Sequence, residues 1–234
     1  MTDHAVVSHE EWLEARKALL AQEKELMRAR DALSAKRRAL PWTKVEKAYR
    51  FQGPEGALSL SDLFGPHRQL IVQHFMFAPE WEKPCKSCSF WADGYNGIVA
   101  HLAHRDTAFV AVSRAPVEKL EARKRKMGWT FPWVSSGGSD FSYDFDVSFR
   151  DGQADGASYN YRPKQGAMTD LPGISAFVKD DGGAIYHTYS CFARGLDPMN
   201  PAYAYLDLTA RGRHEDGLPN PMSWVKLRDE YAAP

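Results

Sequence analysis

Residues 69–77, Gln-Leu-Ile-Val-Gln-His-Phe-Met-Phe, form the run that most constrains this chain. Its core is apolar and β-branched without strict alternation, as in a strand covered on both faces of a sheet. Residues 107–113, Thr-Ala-Phe-Val-Ala-Val-Ser, have the same texture. Between them, the stretch from Cys88 to His104 carries Trp91, Tyr95, Ile98, Val99 and Leu102 at helical spacing. Strand, helix and strand in that order predict a βαβ unit, with parallel strands at the centre of an α/β fold. A second helix is predicted after Pro116, with Leu120 and Met127 on one face and Gly128 as its stop.

The flanking segments are read around that unit. Ser8, followed three residues later by Glu11, is a capping-box pattern that opens a helix running to about Arg38. Trp12, Leu19, Leu26 and Leu33 recur every seven residues along it, and Leu13, Leu20 and Met27 add an adjacent stripe. Such a face is expected to cover itself on the following domain or on a partner, a second copy included. Tyr49-Arg50-Phe51 alternates as a strand does, with turns at 53–56 and 65–66. Residues 129–170 are aromatic, Gly-rich and Asp-rich, and suggest short strands and loops. Ile174–Lys179 and Ala184–Cys191 flank Asp180-Asp181-Gly182-Gly183, a hairpin signal. A short helix is predicted from Met222 to Tyr231. The organisation expected is an N-terminal helical extension, 1–42, and one domain, 43–234.

Cys85-Lys86-Ser87-Cys88 falls just after the first buried strand and at the start of the first helix. The reactive species of a cysteine is the thiolate, and a free thiol with a pKa of ~8.5 is mostly protonated at neutral pH. A helix N-terminus offers unpaired N–H groups and the positive end of a dipole, which favour the anion. Lys83 and Lys86 would add positive charge if they lie near, and Pro84 suits a helix entry. Two intervening residues let Cys88 reach back and resolve a mixed disulfide formed at Cys85. Cys85 and Cys88 are therefore the candidate catalytic pair.

Composition narrows the classes. Lysine and arginine together number 30, as do aspartate and glutamate, so no basic surplus points to nucleic acid or an anionic membrane. No apolar run approaches the ~18–20 residues of a membrane span. Residues 1–11 hold two histidines and acidic residues where a signal peptide would be basic and then apolar. A cytoplasmic location is expected. With three cysteines and a reducing compartment, a C-x-x-C pair points to redox or metal chemistry rather than a disulfide framework.

Phe75-Met76-Phe77-Ala78-Pro79-Glu80-Trp81 followed by Pro84-Cys85-Lys86-Ser87-Cys88 resembles the strand-to-active-site passage of thioredoxins, with a short insertion before the first cysteine. Three further segments are more specific: Ser87-Cys88-Ser89-Phe90-Trp91-Ala92-Asp93, Met127-Gly128-Trp129 with Trp133-Val134-Ser135-Ser136, and His187-Thr188-Tyr189-Ser190 with Arg194-Gly195. They resemble a bacterial thioredoxin-like family of predicted dithiol-disulfide oxidoreductases, domain of unknown function 899. The likeness covers nearly the whole chain, including Arg38-Ala39-Leu40-Pro41-Trp42. It implies a thioredoxin-like fold, a central mixed sheet flanked by helices, with the N-terminal amphipathic helix added. It implies a thiol-disulfide oxidoreductase, with Cys85 as nucleophile and Cys88 as resolving thiol, acting on a protein or small-molecule disulfide with a thiol donor. No cofactor is implied. Pro172 matches the position of the thioredoxin cis-proline. Trp81, Lys86, Pro172 and His187 are the candidates for lining the substrate groove.

The inner dipeptide is Lys-Ser rather than Gly-Pro, and no tryptophan immediately precedes Cys85, so thioredoxin's potential does not transfer. Cys85, Cys88, His187 and Cys191 could be read as a zinc set, but His187 and Cys191 on one extended strand would stand about 13 Å apart. No metal is expected. Cys191 alone reads as a half-buried thiol. A thiol peroxidase is the nearest enzymatic rival, yet neither cysteine has the Pro and the Thr or Ser that precede a peroxidatic one. The alternative from another class is a thioredoxin-like interaction module or redox sensor, for which the Cys85 pKa would lie near its ordinary value.

Overall fold

The computed structural model describes residues 4–231 and falls into two units, one ending at Pro41 and one beginning at Trp42. The first unit is one long helix, α1 (His9–Arg38). Its capping box is formed: the Glu11 N–H donates to Ser8 Oγ at 3.2 Å, and the Ser8 N–H donates to the Glu11 carboxylate at 2.9 Å. Glu10 and Glu11 lie in the first turn and Lys36, Arg37 and Arg38 in the last, the order that complements the helix dipole. No residue of α1 is buried, and Trp12, Leu19, Leu26 and Leu33 are 48–61% exposed.

The second unit opens with β1 (Thr43–Lys44), β2 (Arg50–Gly53), β3 (Gly56–Ser59) and β4 (Gln69–His74). Helices α2 (Lys86–Ala92) and α3 (Tyr95–Ala103) lead to β5 (Thr107–Ser113), α4 (Val117–Met127), β6 (Trp133–Ser135) and α5 (Phe141–Asp144). A small hairpin, β7 (Ser158–Tyr159) and β8 (Arg162–Pro163), precedes β9 (Gly173–Lys179), β10 (Ile185–Phe192) and α6 (Pro201–Leu206).

Eight strands form one sheet in the order β1-β10-β9-β4-β5-β6-β2-β3. β4 runs parallel to β5, and β5 to β6, whereas β9 is antiparallel to β4 and to β10. A parallel β4–β5 pair joined through helices, with an antiparallel hairpin on the other side of β4, is the thioredoxin arrangement. The remaining strands extend it at both edges. Alternation along β4 supplies two cores. Ile71 faces a cluster with Phe109, Leu120, Phe131 and Trp133. Leu70 and Val72 face Phe51, Phe64, Val112, Phe141 and Phe177.

Three expectations change. The central strand ends at His74 rather than Phe77: the Phe75 N–H still bonds the Val112 carbonyl, but the Met76 carbonyl turns to the Cys85 N–H. The helix expected over 88–104 is two helices broken at Asp93-Gly94. A Cβ at Gly94 would come within 3.3 Å of Pro201 Cγ, and the Asp93 carboxylate is occupied by Trp129 Nε1 at 2.8 Å and Arg228 at 3.2 Å. The segment 222–231 contains no α-helix, just a 3-10 turn at Arg228–Glu230. Met222 has φ of 65°, and the Glu215 carboxylate gathers Tyr203 Oη, the Met222 N–H and Trp224 Nε1, which holds the segment in turns.

Gly173 begins β9 in close contact with its neighbours: a Cβ there would lie 2.8 Å from Phe192 Cδ1 and 3.1 Å from Val147 Cγ1. Gly173→Ala should destabilise the fold by about 1–3 kcal/mol through this overpacking, read as a lower urea midpoint at unchanged slope. An unchanged midpoint would show that β9 can shift freely.

Candidate active site

The C-terminal end of β4 delivers the dithiol. Beyond Phe75 the chain makes an excursion over residues 77–84 and returns to donate the Cys85 N–H to the Met76 carbonyl at 3.0 Å. The excursion is tied down from the segment after β5. The Ala115 N–H donates to the Phe77 carbonyl at 2.8 Å, and Lys119 Nζ donates to the carbonyls of Pro79 and Trp81 at 2.7 and 3.0 Å. The Cys85 carbonyl then accepts from the N–H and the Oγ of Ser89, at 3.0 and 2.9 Å, which opens α2.

Cys85 is the N-cap residue of α2, with φ −55° and ψ 124°, and is partly accessible; Cys88 is buried one turn further on. An N-cap side chain is where a helix best satisfies an acceptor. The Cys88 thiol and the N–H groups of Ser87 and Cys88 all stabilise charge on Cys85 Sγ, lowering its pKa to about 6 against the opposing effect of burial. The shared hydrogen bond raises Cys88 well above the ordinary thiol range, and burial and the Asp170 carboxylate push it the same way. The Met76 N–H opposes that rise. The pair is thus differentiated into an accessible thiolate and a shielded thiol.

The other sequence candidates are distributed unevenly. Trp81 packs on the same cluster as Cys85, Cys88 and Cys191. Lys86 Nζ donates to the Ser223 carbonyl at 3.0 Å and Lys83 pairs with Glu230 at 2.8 Å, so both ammonium groups are committed to the C-terminal segment. Pro172 precedes β9, and its carbonyl accepts from Tyr159 Oη at 2.8 Å; its peptide bond is trans, as are all those described. The cis-proline geometry of thioredoxin is therefore not reproduced.

His187 lies on the other face of the sheet. A β-bulge at Thr188 interrupts the β9–β10 register between His187 and Tyr189. The His187 ring packs at 5.3 Å from Phe145 and 5.4 Å from Phe177, in the second core, whereas Cys191 belongs to the dithiol core. Among the described residues, no three His, Cys, Asp or Glu side chains are grouped to hold a metal ion.

Asp170, Tyr159 and the Met76 backbone are site components that the sequence reading missed. The Asp170 carboxylate, held by Arg114 and Ser148, acts on Cys88, and Tyr159 joins the Pro172 carbonyl to the Ala193 N–H. Asp170 stands directly before the Leu171-Pro172-Gly173 turn, which is the signal that could have found it.

The comparisons with known proteins follow this geometry. The family described as "Bacterial protein of unknown function (DUF899)" matches residues 1–231. No curated protein matches by sequence. Among solved structures, peroxidoxin BcpB from Mycobacterium tuberculosis is 14% identical, with 66% of this chain and 86% of that chain covered and a TM-score of 0.47. Peroxiredoxin Q from Xanthomonas campestris is 18% identical, with 68% and 89% covered and a TM-score of 0.46. The fold assignment rests on the strand order given above.

Two outcomes are expected. Alkylation of Cys85 by iodoacetamide should titrate with a midpoint near 6, with Cys88 unreactive in the same range. A midpoint at the ordinary thiol value would contradict the capping geometry. Because folding depresses this pKa, the thiolate adds stability above the unfolded value of ~8.5 and loses it as pH falls through the folded value. Reduced protein should therefore gain stability over Cys85→Ser between about pH 6 and about pH 9, a gain absent below that window. A difference in urea midpoint that stays flat across the window would exclude it.

Proposed function

This chain belongs to the DUF899 family of bacterial proteins, and from that membership and the dithiol geometry we propose that it is a thiol-disulfide oxidoreductase. The observation that carries the reading is the Cys85 thiol at the N-cap of α2, its pKa lowered to about 6, with Cys88 shielded behind it. An interaction module whose dithiol is a vestige has no need of that difference between its thiols. In the first step the Cys85 thiolate attacks one sulfur of a substrate disulfide. The substrate S–S bond breaks, its electron pair leaves with the other sulfur, and a mixed disulfide forms at Cys85. Cys88 then loses its proton and attacks Cys85 Sγ, releasing the second substrate thiol and leaving a Cys85–Cys88 disulfide. A thiol donor in a reducing, cytoplasmic compartment would return the pair to the dithiol. Trp81 and the backbone at Pro172 are the groove contacts proposed.

The test uses a model protein disulfide and non-reducing gels. Cys85→Ser should abolish reduction, and Cys88→Ser should attack and stall as a covalent adduct. Cys191→Ser should turn over nearly as the parent does. Adducts from Cys85→Ser instead would reverse the assignment, and unimpaired reduction by both variants would remove the dithiol mechanism.

A second copy of the chain is the partner proposed for α1. The first fifteen residues of the helix carry four carboxylates and two cationic side chains, and the last fifteen carry six cationic side chains and two carboxylates. An antiparallel pair would set acidic halves against basic halves and cover the exposed Leu19 and Leu26 near its middle. Light scattering should report a dimer that Leu19→Glu with Leu26→Glu dissociates; a monomeric parent protein at all concentrations would rule this out.

A further inference from the structure

His187 is held in one orientation by the strands around it. Its Nε2 lies 3.0 Å from the Tyr189 carbonyl, which accepts and cannot donate, so Nε2 carries the ring proton. The same nitrogen lies 2.7 Å from Ser190 Oγ, and the hydroxyls continue across the sheet. Ser190 Oγ lies 2.7 Å from Ser175 Oγ, and Ser175 Oγ lies 2.8 Å from His74 Nε2. This polar line through β10, β9 and β4 anchors one edge of the His187 ring, while Phe145 and Phe177 pack on it. Burial holds the imidazole pKa below its ordinary value, so the ring is neutral at neutral pH and Nδ1 bears a lone pair. Nδ1 makes no hydrogen bond among the described residues and remains open to solvent.

His187 borders a cavity of about 370 Å³ set between the segment 43–49, the turn after α5 and the end of β10. The charges around it are not balanced. Lys44 pairs with Glu46 at 3.3 Å, and Lys47 is shared by Asp140 and Asp144 at 2.8 and 2.7 Å. Tyr49 Oη adds a hydrogen bond to Asp144 at 2.8 Å. Asp146 also lines the cavity, and its carboxylate has the Ser158 hydroxyl beside it but no cation among the described residues. Its φ of 55° lies in the left-handed region, which is uncommon for a residue other than glycine. Tyr161 has φ of 62° and donates its Oη to the Ser190 carbonyl at 2.9 Å, a tether that keeps a 75% exposed ring on the cavity wall. Phe192 packs edge-on against it at 5.7 Å and lines the same cavity.

An acceptor nitrogen, a carboxylate without a counter-charge and three aromatic rings thus border one volume. We propose that this cavity is a binding site for a small organic cation, a protonated primary amine with an aromatic body. Its N–H groups would donate to His187 Nδ1 and to the Asp146 carboxylate, and its charge would also be attracted by the faces of the aromatic walls. Its ring would lie against Phe145, Tyr161 and Phe192. The volume falls at the lower end of the ~300–1,000 Å³ of small-molecule sites. An anion is disfavoured, because both lysines of the wall are already committed to carboxylates and Asp146 would repel it. The site involves no cysteine and does not depend on the dithiol reading.

The test compares three probes that share one aromatic body and differ in charge: phenethylamine, 2-phenylethanol and 3-phenylpropionate. Each is titrated at neutral pH and low salt into full-length reduced protein, with binding read by ligand-observed NMR and by the ¹⁵N shift of His187 Nδ1. Phenethylamine should bind saturably and about tenfold or more tighter than the alcohol, with the carboxylate weakest, and it should shift the His187 resonance. Asp146→Asn tolerates the same φ and should weaken the amine about tenfold while leaving the alcohol unchanged. Cys85→Ser should bind the amine as the parent does. The proposal is overturned by an amine that does not saturate, that binds no tighter than the alcohol, or that leaves the His187 resonance unmoved. A folded Asp146→Asn variant with undiminished affinity for the amine would overturn it equally. Should that variant fail to fold, the ranking of the three probes and the His187 shift in the parent protein decide the question.

Discussion

The hydrogen bond from the Cys85 N–H to the Met76 carbonyl is the joint on which the rest of the site depends. A strand leaving a sheet has freedom in every following φ and ψ, and an excursion as long as 77–84 would scatter the helix that comes after it. Returning Cys85 to the end of β4 removes that freedom. It fixes the first turn of α2 against the sheet, so that the Cys85 sulfur stands at the helix N-terminus. The ties from Ala115 and Lys119 to the excursion come from the segment that follows β5. The parallel β4–β5 pair therefore sets both the start and the support of the loop, and the thiolate's stabilisation is a consequence of sheet topology as much as of the cysteine motif.

A second constraint acts on the opposite face. Without a bulge, His187, Tyr189 and Cys191 would alternate onto one side of β10. The extra residue at Thr188 breaks that alternation and turns His187 towards Phe145 and Phe177, while Ser190, paired with Ser175 in register, shares its face. The polar line through β10, β9 and β4 exists because of this one irregularity. The same irregularity removes any approach of His187 to the dithiol, which the motif pattern alone could not exclude.

Much of the scaffold was legible because it obeys simple periodicity. Continuous apolar runs marked β4 and β5, Pro116 and Gly128 bracketed α4, and the Asp-Asp-Gly-Gly turn marked β9 and β10; Gly128 caps α4 with φ of 66°. The position of Cys85 at a helix entrance was equally legible, since it follows from order along the chain. Features that depend on contacts distant in sequence were not. The break at Gly94 sits against Pro201, the Glu215 carboxylate holds the non-helical C-terminal segment, and the Ser223 carbonyl occupies Lys86. Lys83 and Lys86 stand close to Cys85 in sequence, but the lowering of its pKa comes from hydrogen bonds of Cys88 and the helix N-terminus.

That source of stabilisation bears on the redox balance as well as on reactivity. A thiolate held by N–H groups and by a neighbouring thiol exists in the reduced protein, and in the disulfide the charge that those donors stabilise is gone. Each donor that lowers the Cys85 pKa therefore favours the dithiol over the disulfide, which moves the couple towards oxidants. Nucleophilicity falls as pKa falls, with a Brønsted slope of about 0.4–0.5, so the gain in thiolate fraction at neutral pH outweighs the loss per thiolate. Burial of Cys88 bears on the other half of the proposed cycle. It keeps that sulfur protonated and inert until a mixed disulfide brings an electrophilic sulfur within reach, so resolution waits on proton removal. In the proposed cycle the first step is governed by the helix N-terminus and the second by the environment of a buried thiol.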